Sequence, residues 1–349
     1  MSRMHLRAYL VTAILGALAA CGGGGASDAG VASGQSSAPP PATAPTPSPP
    51  FVCAPAATAP GSSGSGIEGT GRGPARKLFS LHVVGQEWNI DHASILIDGQ
   101  TATSAQVVDG LVTTVQGTIA PTAMGTADSV VSETQVAGPI TSVDSTADHL
   151  VVLGQSVVLM QYTQMDVSAP GLAVGDTVAV SALATANGTL VATRISRRAA
   201  DLEYVVTGTV SSLDNSAHSF QINDLTIDYS GVVPQGFPTG VIHDGDLVRV
   251  SGRFPGGSTT LSARTVEFRL DTLSGQAGDQ VALYGYITRF VSNADFDVSG
   301  VRITTSAATD IQPSGPLALN QSVDVCGTLL SNGEVGATQI EIVPSPWDY

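Results

Sequence analysis

The chain has 349 residues, 42% of them hydrophobic and only 12% charged, with a formal net charge of −15. Too much apolar side chain is present for wholly disordered protein, and no apolar run reaches the ~20 residues of a spanning helix, which excludes a multi-pass membrane protein. The acidic balance also argues against a nucleic-acid partner, which needs a basic footprint.

Arg3 and Arg7 precede an apolar stretch, Leu10 to Ala20, that ends Leu18-Ala19-Ala20-Cys21. A charged start, an apolar core and small residues at the cut describe a secretory signal over residues 1–20. Cutting there leaves 12 basic and 29 acidic residues, a net charge of −17.

Residues 21–74 read as a disordered Pro/Gly/Ser/Ala linker. Positions 22–74 hold 12 Gly and 10 Pro, and Asp28 is the one charged residue between Gly22 and Gly66. Such a composition buries too little apolar surface to offset chain entropy. Gly64-Ser65-Gly66-Ile67-Glu68-Gly69 matches a dinucleotide fingerprint in letters only. That motif needs a strand before it and a helix after it, and a linker flanks it here.

From residue 75 the chain repeats itself with a period of 70 to 77 residues. Gly138-Pro-Ile-Thr-Ser-Val-Asp144 aligns with Gly208-Thr-Val-Ser-Ser-Leu-Asp214 and Gly285-Tyr-Ile-Thr-Arg-Phe-Val291. Leu150 to Val157 aligns with Phe220 to Ile227, Phe296 to Ile303 and Leu81 to Trp88. Leu172 to Val180 aligns with Val241 to Val250, Leu317 to Val325 and Val107 to Val115, and Leu190 to Ile195 with Leu261 to Val266 and Val335 to Ile340. Each segment alternates apolar with polar or small residues, and Asn187-Gly188 and Asn332-Gly333 mark hairpin turns. Curling five or six short strands into a barrel removes their exposed edges. The expectation is all-β: four tandem small OB-like β-barrels in a row, at 75–133 (divergent), 134–199, 203–270 and 277–343, followed by a tail at 344–349.

Two resemblances follow from these motifs. Leu18-Ala19-Ala20-Cys21 resembles the bacterial lipobox, which implies cleavage before Cys21 and its acylation, and Gly22 after it implies the outer membrane. Stable anchoring needs more than one acyl chain, as such a cysteine carries. The repeat resembles that of bacterial envelope lipoproteins with tandem OB-like domains of unknown function. Its elements are G-x-V-x-x-V-D, a strand with a central Gly, L-x-V-G-D-x-V-x-V and L-x-A-x-x-I. Residues 134–199 fit best, 203–270 well, 277–343 moderately and 75–133 weakly. In the last unit Asn320-Gln321 stands where the pattern has Gly-Asp. The resemblance implies fold and location and brings no catalytic residues.

Signals for chemistry are sparse. His82, His92, His149, His218 and His243 lack metal-ligand spacing, and no G-x-S-x-G occurs. Gly175-Asp176 and Gly245-Asp246 read as turns: Gly allows positive φ and Asp bonds local amides. Arg194, Arg197 and Arg198 read as a solvated strand end. Sugar binding would need exposed aromatics, for which Trp88, Phe237 and Trp347-Asp348-Tyr349 are the candidates, with Trp88 and Phe237 as the ligand contacts. Once Cys21 is acylated, Cys53 and Cys326 are left in an oxidising compartment. They form either a disulfide closing a long loop or two free or intermolecular thiols. With Val323 and Val325 inward, Cys326 belongs on the outer face of its strand.

Together these readings predict a non-enzymatic cell-envelope lipoprotein. It would be membrane-bound through acylated Cys21, with no metal, cofactor or nucleic acid, and would serve as a binding or structural module for another envelope protein or a glycan. The alternative is a periplasmic or surface receptor for a glycan or small ligand. A hydrolase with a triad assembled across repeats ranks third.

Overall fold

The computed structural model describes residues 53, 67–119, 124–144, 148–166, 171–200, 203–255, 258–270 and 272–344. The signal at 1–20, Cys21, most of the linker and Trp347-Asp348-Tyr349 lie outside the described residues.

The second barrel shows the plan most plainly. Its strands are β9 (Val136–Val143), β10 (His149–Val152), β11 (Gln155–Met165), β12 (Thr177–Ala184) and β13 (Leu190–Arg197). β9 pairs with β10, β10 with β11, β11 with β13 in parallel, β13 with β12, and β12 again with β9. The ring closes in the order 1-2-3-5-4-1, the partly open Greek-key barrel of the OB fold.

The other three barrels repeat this order, numbering strands continuously. The first comprises β1 (Ile67–Pro74), β2 (Arg76–Lys77), β3 (Leu81–Val83), β4 (Gln86–Asn89), β5 (Ser94–Ile97), β6 (Gln100–Thr101), β7 (Val112–Ile119) and β8 (Gly125–Ser132). A three-residue 3-10 turn, Ser104–Gln106, interrupts it. The third comprises β14 (Tyr204–Thr209), β15 (Ser211–Asp214), β16 (Ser219–Ile222), β17 (Leu225–Asp228), β18 (Leu247–Arg253) and β19 (Thr260–Phe268). The fourth comprises β20 (Gln280–Ser292), β21 (Asp295–Val298), β22 (Val301–Thr304), β23 (Asp310–Gln312), β24 (Ser322–Leu329) and β25 (Val335–Ile342). In each, the third barrel strand pairs in parallel with the last: β4 with β8, β17 with β19, β22 with β25.

Why the chain folds this way is visible at one repeated contact. Gly138 opens its barrel because the tip of the β10–β11 hairpin lies across it: a Cβ there would overlap the Leu153 side chain. Gly73 faces Val84, Gly208 faces Ile222 and Gly285 faces Ser299 and Val298 in the same way. Leu153 (φ 47) and Gly154 (φ 69) are both left-handed, which is the two-residue turn that suits the twist of a tight hairpin. The repeated glycine thus lets each barrel be stoppered by the hairpin of its own second and third strands.

Two expectations need correction. Residues 67–74 are not linker. They form β1, which pairs antiparallel with β7 over its whole length and parallel with β20 from Gly69–Gln280 to Arg72–Leu283. Gly69, Gly71 and Gly73 look like linker composition, yet they let Ile119, Trp88 and Val84 close on the strand. Nor do the barrels stand in a row. The first and fourth share one 14-stranded sheet, and the second and third share an 11-stranded sheet through Ala137–Val205 and Val136–Val206 of β9 and β14.

Burial follows from this pairing. β18 alternates, one face in and one face out, whereas β8 changes phase at Asp128–Ser129, where its register with β7 shifts. β20 is buried on both faces from Gln280 to Ile287. Val281, Leu283 and Ile287 fill the fourth barrel, while Ala282, Tyr284 and Tyr286 pack with Trp88 and Val84 of the first. A strand buried on both sides loses its period-2 signature. The second and third barrels bury one continuous core, from Val136 to Val266.

Candidate binding faces and the barrel clamps

OB folds use the face of strands 2 and 3 and the loops 1–2 and 4–5 to hold oligonucleotides and oligosaccharides. Here that face is the β3–β4, β10–β11, β16–β17 and β21–β22 hairpins. Register equates three outward positions in each: Ser80, His82 and Glu87; His149, Val151 and Ser156; Ser219, Gln221 and Thr226; Asp295, Asp297 and Arg302. The barrels share a scaffold and differ at these positions.

In the first barrel Ser80 Oγ lies 3.2 Å from His82 Nε2 and donates to Glu87 Oε1 at 2.5 Å. This brings a hydroxyl, an imidazole and a carboxylate together, and periodicity within one hairpin could have located them. The order is wrong for nucleophilic catalysis. The carboxylate should orient the far side of the ring, but it takes the serine proton itself and lies 4.0 Å from the same Nε2. In the second barrel His149 Nε2 meets Ser156 Oγ at 2.8 Å. In the fourth, Arg289 bridges Asp295 and Asp297, and Arg302 Nε donates to Asp297 at 2.8 Å. The Arg289 bond holds the Asp295 carboxyl below its ordinary range, and the two carboxylates hold the Arg289 guanidinium protonated.

The two expected ligand contacts are corrected. Trp88 is fully buried in the first barrel, paired with Leu81 across the hairpin. It points inward because it keeps the alternation of Leu81 and Val83. Phe237 is 8% exposed and packs on Phe268 with ring centroids 5.4 Å apart. Among the described residues the aromatic that does stand out is Phe79, fully exposed beside Leu78 in the loop before β3. Next to it, Lys77 Nζ donates to the Ser104 carbonyl, and burial lowers its pKa.

The conspicuous Gly-Asp pairs serve backbone chemistry. The Gly175 N–H donates to the Ile140 carbonyl, and Asp176 Oδ2 accepts from the Ala173 N–H at 2.9 Å. Gly245 and Asp246 do the same with Val210 and His243. Asn320 (φ 64) and Gln321 reproduce the turn in the fourth barrel, with Gln321 Oε1 in place of the carboxylate. His218 stacks edge-on against Tyr229. Arg197 pairs with Asp176 and Arg194 donates to the Asp109 carbonyl of the first barrel. Among the described residues, no three His, Cys, Asp or Glu side chains gather as a metal site, and no helix is long and apolar enough to cross a membrane.

Clamps between barrels are better developed than any catalytic group. Cys53 and Cys326 form a disulfide with Cα atoms 5.4 Å apart across 273 residues of sequence. Cys326 is 3% exposed and sits outside the Val323–Val325 core, against the first barrel's cluster. Gln155, 1% exposed, donates to the Ile222 carbonyl and accepts from Asn223 Nδ2 at 2.6 Å, joining the second barrel to the third. Arg249 reaches from the third barrel to Asp98 of the first at 2.7 Å.

One open cleft of about 390 Å³ lies at the 4–5 loop of the third barrel, lined by Ala200, Glu203, Tyr204, Arg253, Phe254, Pro255 and Arg264. Its residues come from β14, β18, the loop after β18, β19 and the segment before β14, so no contiguous motif announces it.

The family model described as a domain of unknown function, DUF5666, matches residues 137–196 and 284–341, the second and fourth barrels. No curated protein matches the chain. Among solved structures, Drosophila Unr CSD456 is similar at 16% identity, covering 60% of this chain and 96% of its own, with a TM-score of 0.16. A multidomain protein with nucleic acid binding domains from Streptococcus pneumoniae is similar at 12% identity, covering 60% and 72%, with a TM-score of 0.15. At such scores neither structure bears on the function of this chain.

Proposed function

We propose that this protein is a non-enzymatic cell-envelope lipoprotein. It is anchored in the outer membrane by acylated Cys21 and presents four fused OB barrels as a binding or structural module to an envelope protein or glycan. The observation that carries this reading is the Cys53–Cys326 clamp. It ties the chain at Cys53, downstream of Cys21, to the fourth barrel. From Cys21 to Cys53 the chain can span at most about 110 Å. A disulfide between the N-terminal segment and the fourth barrel also suits an oxidising compartment outside the cytoplasm.

Divergence of the outward trios on one scaffold supports binding over catalysis, since each hairpin face offers different hydrogen-bonding groups. The Ser80–His82–Glu87 arrangement lacks triad order, which is why hydrolysis is not the reading adopted.

Metabolic labelling with an alkyne fatty acid tests the anchor. The wild-type chain is expected to take label and fractionate with outer membrane, and Cys21→Ala to do neither. In-cell crosslinking of the same pair tests the module: a discrete partner captured only by the acylated form supports it. An unlabelled wild-type chain overturns the lipoprotein reading, and labelled protein with no crosslinked partner overturns the scaffold role.

A further inference from the structure

We infer that the cleft on the third barrel is a binding site for a small anionic ring compound, of which an acidic sugar is the chemical class that fits. The floor is aromatic. Tyr204 and Phe254 meet edge to face with centroids 6.5 Å apart, and the Tyr204 hydroxyl is held by the Ala200 carbonyl at 2.9 Å. A ring fixed this way offers apolar surface to a flat or saturated ring at little entropic cost.

The walls supply charge. Arg253 and Arg264 both line the cleft, against a single carboxylate, Glu203. Glu203 accepts from Ser251 Oγ at 3.0 Å and lies 3.9 Å from Arg264 Nε, too far for a hydrogen bond. Arg253 has no protein partner among the described residues. The chain carries 29 acidic and 14 basic residues. With carboxylates in such surplus, a guanidinium without a protein partner, Arg253, beside one held only by a long ion pair to Glu203, Arg264, is positioned for an external acid. Guanidinium forks take carboxylates in two parallel bonds, and Glu203 remains to accept from a ring hydroxyl.

Size sets the class. About 390 Å³ lies near the lower end of small-molecule sites, with room for one or two rings rather than an extended polymer. The position is also right, because the cleft lies at the 4–5 loop that OB folds use for ligands.

This inference deepens the binding-module reading and rests on it only for the role of the barrels. Its test therefore uses the full chain with Cys21→Ala, so that neither acylation nor a protein partner enters the outcome. Calorimetric titration with glucuronate, glucose and acetate separates the two parts of the site. Glucuronate is expected to bind, with glucose and acetate each weaker by about tenfold or more. Arg253→Gln and Arg264→Gln should each weaken glucuronate by about tenfold at unchanged melting temperature, because both side chains are exposed. Phe254→Ala should weaken glucuronate and leave acetate unmoved. Glucose binding as tightly as glucuronate, arginine variants binding like wild type, or no glucuronate heat at millimolar concentration would each overturn the proposal.

Discussion

The two shared sheets are joined in different ways. The first and fourth barrels, at opposite ends of the described chain, meet through four parallel register pairs of β1 and β20, and a disulfide ties the segment before β1, at Cys53, to the fourth. The second and third, adjacent in sequence, meet through two antiparallel pairs and a buried amide clamp at Gln155. The difference follows chain entropy. Bringing distant segments together costs more than joining neighbours, and a covalent link removes that cost from the unfolded ensemble. Where the linker is short, hydrogen bonds between two hairpin tips are enough.

Breaking the covalent junction should have the largest effect. Cys53→Ser, or reduction of the wild-type protein, is expected to cost about 2–5 kcal/mol. Calorimetric melting should show the loss in the transition of the first and fourth barrels, leaving that of the second and third in place. A single transition that does not move would mean the β1–β20 pairing holds the junction without the bond.

The amide junction should respond more modestly. Gln155→Leu keeps the size of a fully buried side chain but strands the buried Ile222 carbonyl, while the exposed Asn223 amide keeps only its longer bond to the Gly188 carbonyl at 3.4 Å. Leaving a buried carbonyl unpaired costs about 1–3 kcal/mol. Urea unfolding should show the loss in the second and third barrels together, since they bury one core. Loss confined to the second barrel would show that the clamp serves its own hairpin only.

The barrel fold was legible where one strand face meets solvent. β18 follows a repeated motif and alternates, and the Gly138, Gly208 and Gly285 openings recur at the same step. The fourth copy, Gly73, was hidden by Pro74 and its glycine neighbours, although Gly73-Pro74 repeats Gly138-Pro139. The junction of first and fourth barrels left a fainter trace. Val281 to Ile287 is an unbroken apolar run in the middle of alternating strands, the mark of burial on two sides. Trp88 was misread because an aromatic was weighed by type and not by its register with Leu81. The cleft stayed invisible because Tyr204, Arg253 and Arg264 converge only when β14, β18 and β19 pair.

The smallest effect separates the two halves by pH. Asp295 in the fourth barrel is held below the ordinary carboxylate range first by its bond from Arg289. Asp214 in the third is lowered first by the Ser216 hydroxyl, then by the Ala217 and Ser216 amides. Both depressed values stabilise the fold above the unfolded pKa of about 3.9 and lose that contribution as pH falls through the folded value. The partners differ, so the halves should respond differently to substitution. Arg289→Met removes the leading cause at Asp295 and should return that carboxyl toward its ordinary range. Ser216→Ala should raise Asp214 only in part, because two main-chain donors remain. Carboxyl NMR titration of both variants reads this directly. An Asp295 that still titrates low in Arg289→Met would transfer its control to Arg302, 3.7 Å away, and make the fourth barrel's charge network a shared one.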